Sequence, residues 1–98
     1  MIITSKQRSV LKSIAMTTDP IFQIGKSGLT DEFIDAVAEA LEKRELIKIH
    51  VLKNNADDKH EIAEAIAERT GALVVQVIGN VIVLFKYQHD PKKRKIDI

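Results

Sequence analysis

The sequence predicts an α/β protein, of the α+β-like kind, with three helices and a four-stranded mixed sheet in the order α-β-α-β-α-β-β. Two observations carry most of this prediction. Apolar residues recur at helical spacing in three segments, and a strand candidate lies between each pair of them. Two β-branched runs then follow, separated only by Gly79-Asn80. A strand-helix-strand unit is parallel and a hairpin is antiparallel, so the sheet is expected to be mixed.

The first helix is expected from Ser5 to about Thr17, with Thr4 or Ser5 as its N-cap. Asp19-Pro20 ends it, because proline disfavours helix in the residue before it. A short strand over Ile21–Ile24 follows. The helix is expected to bury Val10, Leu11, Ile14 and Ala15.

The second helix is predicted from about Thr30, a good N-cap, to Arg44, and a strand from Leu46 to Leu52 follows it. In this strand apolar residues alternate with Lys48 and His50, as expected where one face of the sheet is exposed to solvent. The helix is expected to bury Phe33, Ile34, Val37, Ala40 and Leu41 and to expose Glu32, Asp35, Glu39 and Glu42.

A third helix is predicted from about Asp57 to Thr70, with Gly71 as its C-cap. The runs 73–78 and 81–87 then form a hairpin, because Gly79-Asn80 suits a two-residue type II′ turn. The helix is expected to bury Ile62, Ala63, Ile66 and Ala67 and to expose Glu61, Glu64 and Glu68.

The composition of the chain limits the classes of protein to which it can belong. The chain has 98 residues, no cysteine, 45% hydrophobic residues and 30% charged residues, which predicts one domain over residues 1–98 with a basic tail from 91 to 98. No apolar run approaches the roughly 20 residues of a membrane span, and no signal-peptide core follows Met1. A cytoplasmic monomer without cofactor, metal or small-molecule substrate is expected.

The net charge is only +1, but basic and acidic residues are concentrated in different segments of the chain. Residues 1–30 carry +3, residues 31–70 carry −5 and residues 71–98 carry +3. The acids of the middle segment fall mainly on the outer faces of the second and third helices. A polyanion would therefore have to meet the first helix, the loop after the first strand or the tail.

That loop is the GxxG loop, Gly25-Lys26-Ser27-Gly28, between a strand and a helix N-terminus. Glycines let a phosphate approach the backbone, turn amides bind anions, and Lys26 adds charge. An ordinary βα turn that uses glycine for its geometry is the alternative. A nucleotide P-loop is not expected, because GxxxxGK[ST] would require glycine where Pro20 stands.

Two further basic segments are candidates for phosphate contacts. Arg8 and Lys12 are one helical turn apart, and Lys6 is near them in sequence. A solvated helix face is the alternative interpretation. The tail is either a flexible arm that binds phosphates or a disordered end, and its cations are Lys92, Lys93, Arg94 and Lys95.

The sequence offers little for catalysis or for stacking on RNA bases. Phe33 and Phe85 are expected in the core, and Tyr87 is a weak surface candidate. His50 is interpreted as a solvated strand residue. No Ser-His-Asp pattern, carboxylate pair or histidine spacing typical of a metal site is present, so no enzyme is predicted.

Five segments occur in a recognisable order along the chain. They are Ser5-Lys6-Gln7-Arg8, Ile24-Gly25-Lys26-Ser27-Gly28-Leu29-Thr30, Glu45-Leu46-Ile47-Lys48, Glu68-Arg69-Thr70-Gly71-Ala72 and Val75-Gln76-Val77-Ile78-Gly79. Together they resemble one family, the CRM domain (chloroplast RNA splicing and ribosome maturation), in its stand-alone bacterial YhbY-like form, over residues 4 to about 95. The resemblance implies a fold similar to the C-terminal domain of translation initiation factor three, and RNA contact through the GxxG loop and nearby basic residues.

Bacterial members of that family are associated with precursors of the large ribosomal subunit. The resemblance thus predicts a non-catalytic protein that binds ribosomal RNA, whereas the residues alone predict only polyanion binding. The alternative is a ribosome-associated adaptor that binds a basic protein through its acidic helix faces.

Overall fold

The computed structural model describes residues 2–98 and has three α-helices packed on one four-stranded sheet. This confirms the predicted fold class and element order, and helix and strand ends differ from the prediction by at most two residues. The elements are α1 (Ser5–Met16), β1 (Phe22–Ile24), α2 (Asp31–Arg44), β2 (Leu46–Val51), α3 (Lys59–Thr70), β3 (Leu73–Ile78), β4 (Val81–Phe85) and a 3-10 turn (Pro91–Lys93).

The sheet has the strand order β1-β2-β4-β3. β1 and β2 are parallel, whereas β4 is antiparallel to both β2 and β3, so the sheet is mixed as predicted. One irregularity interrupts the β3–β4 pairing. Val74 pairs with Leu84 and Gln76 pairs with Val83, which leaves Val75 as an extra residue in a β-bulge.

Local signals explain where the helices begin and end. Thr4 forms a capping box with Gln7, and the Thr30 side chain accepts the N–H of Phe33. Gly71 ends α3 with a φ of 76°, a left-handed conformation that glycine adopts without strain. The φ of 56° at Gly79 fits the predicted type II′ turn.

Each face of the sheet is covered by different elements. α2 and α3 pack on one face, around a core that includes Leu41, Ile49 and Ile66. α1 and the C-terminal tail pack on the other face, around Leu11 and Phe85. This second face is called here the α1 face.

The basic tail is docked on the protein, so the predicted flexible arm or disordered end is wrong. Its apolar residues Ile96 and Ile98 join the cluster under α1. The Tyr87 hydroxyl donates to the Ile98 carbonyl at 3.1 Å, and Tyr87 stacks edge-on against Phe85. Tyr87 is therefore half-buried and structural, because the tail covers it.

No helix between residues 2 and 98 combines the length and apolar character needed to cross a bilayer.

Candidate nucleic-acid interface

The GxxG loop is a tight turn directly after β1. The Gly28 N–H donates to the Gly25 carbonyl at 3.1 Å, and Gly28 has a φ of 66°. Lys26 and Ser27 form the exposed tip, and their backbone N–H groups donate to no carbonyl within residues 2–98. The turn thus presents two unused amides and one cation to solvent, a combination suited to an anion.

Gly25 packs closely against the β2–α3 connection. A Cβ at this position would lie 3.2 Å from Asn54 Oδ1 and 3.4 Å from a methyl carbon of Leu52. The Asn55 side-chain amide also donates to the Gly25 carbonyl at 2.9 Å. The β2–α3 connection therefore fixes the base of the loop, while the tip stays free.

The loop lies at one end of the sheet, called here the loop end. β1 and β2 are parallel and both finish there, and the Gly79-Asn80 turn lies at the same end. The Val51 N–H donates to the Asn80 carbonyl at 2.7 Å, and the Leu52 N–H donates to the Ile24 carbonyl at 2.8 Å. These hydrogen bonds hold the β1–α2, β2–α3 and β3–β4 connections together at the loop end.

Arg8 is held against the sheet by the β-bulge. Its Nη1 donates to the carbonyls of Val74 and Val75, so this predicted phosphate contact also has a structural role. Nη2 and Nε are not used by these two bonds and can still bind an anion. The guanidinium is half-buried and fixed in direction.

α1 crosses the α1 face from β3 to β2. Arg8 fixes its first half at β3, and the Ala15 carbonyl accepts a hydrogen bond from Lys48 Nζ on β2 at 3.0 Å. Leu11 faces the sheet. A right-handed β1-α2-β2 crossover fixes the order of the strands as seen from the α1 face. Because α1 runs from β3 to β2 with Leu11 toward the sheet, the flank that carries Arg8 and Lys12 points toward the loop end.

The opposite flank of α1 supports this orientation. Ile14 lies there and belongs to the same apolar cluster as the tail residues Ile96 and Ile98. Lys12 is exposed, and neither Lys12 nor Lys26 takes part in the three ion pairs found within residues 2–98. Lys12 on the loop-end flank of α1 and Lys26 in the GxxG loop are thus both free to bind an anion.

The other predicted contacts lie elsewhere. Lys6 is about 120° around the helix axis from Lys12 and faces away from the loop end. The tail is attached beside Glu45, just before β2 begins. Val51, at the loop end, lies six strand residues further along, a distance of about 20 Å. The cations of this tail end are Lys92, Lys93, Arg94 and Lys95, and all four residues are exposed.

Sequence reasoning missed a row of side chains on the α1 face near the loop end. The row runs across all four strands, and only the alternation of Lys48 and His50 hinted at it. Its members are Gln23, His50, Val81 and Ile78.

The far side of the molecule is acidic, as predicted. Asp35, Glu39 and Glu42 on α2 are exposed, and so are Glu64 and Glu68 on α3. The two helices place these carboxylates across the sheet from α1. A polyanion is thus repelled from one side and is free to approach the other.

Within residues 2–98, no group of three or more His, Asp or Glu side chains is placed to hold a metal ion.

Comparison with known proteins identifies the family of this chain. The family model of the CRS1/YhbY (CRM) domain matches residues 3–86. The "Probable RNA-binding protein YqeI" of Bacillus subtilis (strain 168) is 47% identical over 93% of this chain and 95% of its own length. An "RNA-binding protein" of Haemophilus influenzae is 33% identical over 92% and 91%, respectively.

A solved structure has the same fold. The solution structure of the hypothetical protein SAV1595 from Staphylococcus aureus matches with a TM-score of 0.78 and 46% identity, over 98% of this chain and 100% of that chain. The family match spans most of the sequence and both relatives are named for RNA binding. The chain therefore belongs to the CRS1/YhbY (CRM) domain family.

Proposed function

We propose that this protein binds folded RNA on the loop-end half of its α1 face and acts in the cytoplasm, as a monomer, in assembly of the large ribosomal subunit. The observation that carries the proposal is that Lys12 on α1 and Lys26 at the tip of the GxxG loop are both exposed and outside the ion pairs found within residues 2–98, while the acidic residues lie on the outer faces of α2 and α3. The names of the relatives support RNA as the partner.

The residues have distinct roles in this proposal. Lys26 supplies charge at the tip of the GxxG loop, while Ser27 offers a hydroxyl and a backbone amide. Gly25 and Gly28 keep the turn tight, so a phosphate can reach those amides. Arg8 and Lys12 continue the phosphate track along α1.

Lys6 and the tail are secondary contacts in this proposal. They lie away from the loop end, so only an RNA large enough to reach around α1 or along the sheet would meet them. The tail cations are Lys92, Lys93, Arg94 and Lys95.

The primary test substitutes Lys26→Ala and measures affinity for a structured ribosomal RNA fragment across a salt series. We expect weaker binding, and a plot of log affinity against log salt that is shallower by about 0.7 to 0.9, because one phosphate contact is lost. Lys43→Ala is the matched control, since Lys43 is exposed on α2 and paired with Glu39 at 3.2 Å. An unchanged affinity and slope in the folded Lys26→Ala protein would refute the loop contact.

The exposed acids of α2 support a second candidate function, an adaptor that binds a basic ribosomal protein. Reversing the charges of Glu39 and Glu42 separates the two functions. RNA binding should remain nearly intact if RNA is the partner, whereas association with ribosomal particles should disappear if the acidic face is the interface. Crosslinking in cells, with mapping of the bound RNA, tests the ribosomal assignment directly.

A further inference from the structure

The row missed by sequence reasoning is called here the open row. In the strand register, Gln23 neighbours His50, His50 neighbours Val81, and Val81 neighbours Ile78. Side chains of such directly paired residues point to the same face of a sheet. The row crosses three inter-strand spacings, a span of about 14 Å.

α1 covers this row only in part, because Val81 packs against the cluster under α1 while Gln23 and Ile78 stay exposed. The helix packs over side chains nearer the tail end, including Leu46, Val75 and Phe85. In the open row, by contrast, Gln23 is exposed and Ile78 is 60% exposed. An apolar side chain this exposed, in the same row as the half-buried His50 and separated from it only by Val81, is able to contact a partner.

Two basic elements flank the row. The flank of α1 that carries Arg8 and Lys12 lies on one side, and the loop end, where the GxxG loop follows β1, lies on the other. Arg8 is fixed by its bonds to the bulge, and Lys48 by its bond to the Ala15 carbonyl. None of these residues, and none in the row itself, is a carboxylate.

We propose that the open row docks an unpaired RNA base, on the His50 ring, while Lys12 and Lys26 hold the flanking phosphates. An imidazole presents a flat π face on which a base can stack, and the Gln23 amide can both donate and accept hydrogen bonds at a base edge. Val81 and Ile78 supply apolar contact for a neighbouring base or sugar. The basic elements that flank the row favour a nucleic-acid strand over an apolar peptide.

This inference rests on the proposed function and adds that binding distinguishes unpaired from paired RNA. The test compares a hairpin RNA carrying an unpaired loop with a blunt duplex of equal length and charge. We expect the wild-type protein to prefer the hairpin. His50→Ala should weaken hairpin binding about fivefold or more, leave duplex binding unchanged and keep the same salt slope, because stacking involves no phosphate.

Three further variants make the test specific. His50→Phe should retain most of the hairpin affinity, since it keeps the flat ring and removes the nitrogens. Ile78→Ser should weaken hairpin binding and is safe for folding, because Ile78 is largely exposed. His89→Ala is the matched control, an exposed histidine at the tail end whose Nδ1 lies 3.9 Å from Glu42.

The outcomes separate this inference from the proposed function. If the wild-type protein binds both RNAs equally and His50→Ala and Ile78→Ser bind as it does, base docking is wrong and backbone binding stands. If the wild-type protein binds neither RNA, both proposals fail. If His50→Phe loses as much hairpin affinity as His50→Ala, stacking on the ring is wrong.

Discussion

The two ends of the sheet are both basic in sequence, but one cation of the tail end, Arg94, is bound within the protein, whereas Lys92, Lys93 and Lys95 are exposed like Lys12 and Lys26. At the loop end, Lys12 and Lys26 have no ion-pair partner within residues 2–98 and extend into solvent. At the tail end, Arg94 stacks on Tyr87 with its Cζ 4.6 Å from the ring centroid, and its Nε donates to the Gln88 carbonyl at 2.9 Å. A cluster of basic residues in a sequence therefore does not indicate how much charge is available to a ligand.

The tail end is organised by a buried carboxylate. Glu45 is 1% exposed, and its carboxylate accepts the backbone N–H groups of Gln88, Lys95 and Ile96. Its backbone has a φ of 65°, a conformation that is costly for a residue other than glycine. The carboxylate offsets that strain by satisfying buried donors that would otherwise be unpaired.

Removing the Glu45 carboxylate is expected to lower stability more than any other change at either end of the sheet. Glu45→Ala should lower the free energy of unfolding by about 3 kcal/mol, because three N–H groups lose a charged acceptor. Alanine keeps the strained φ, so the difference reports the carboxylate. Urea denaturation measures the effect, and Glu64→Ala, at an exposed site on α3, is the control. Equal stability of the two variants would show that Glu45 does not hold the tail.

A smaller loss of stability is expected from substituting one glycine at each end of the sheet. Gly28 and Gly71 both have a positive φ, and a Cβ would lie 3.8 Å from Asp57 Oδ2 in one case and 3.6 Å from Lys86 Nζ in the other. Alanine at either position should cost about 1 kcal/mol of backbone strain and create no clash. Only Gly28→Ala should also weaken RNA binding, because it distorts the GxxG loop. Thermal unfolding and RNA titration of both variants would reveal any equal loss of affinity, which would contradict the loop assignment.

The smallest effect is expected at the tail lysines. The double variant Lys92→Ala, Lys93→Ala should weaken binding of a long structured RNA only a few fold and leave a short hairpin unaffected. A short hairpin held at the loop end does not reach residues about 20 Å away. Titration of both RNAs at one salt concentration measures the difference. A similar loss for the short hairpin would mean that the tail contributes directly to the main contact surface.

The sequence was sufficient for the elements that local chemistry controls. The Thr30 cap, the Gly71 C-cap and the Gly79-Asn80 turn were all predictable, since each depends on a residue's own φ or on a donor three positions away. The role of Glu45 was not, because its three donors lie more than 40 residues further along the chain. The bonds from Arg8 to the bulge likewise join groups that are distant in sequence.

By itself, the sequence determined the secondary structure, the sheet type, the division of charge and the GxxG loop, because periodicity, turn residues and charge are local properties. Only the tertiary structure shows that Arg8 is bound to the bulge, that the tail is docked and that His50 shares one row with Gln23, Val81 and Ile78. Those features depend on the strand order and on the direction in which α1 crosses the sheet. Both are set by packing between residues far apart in the chain.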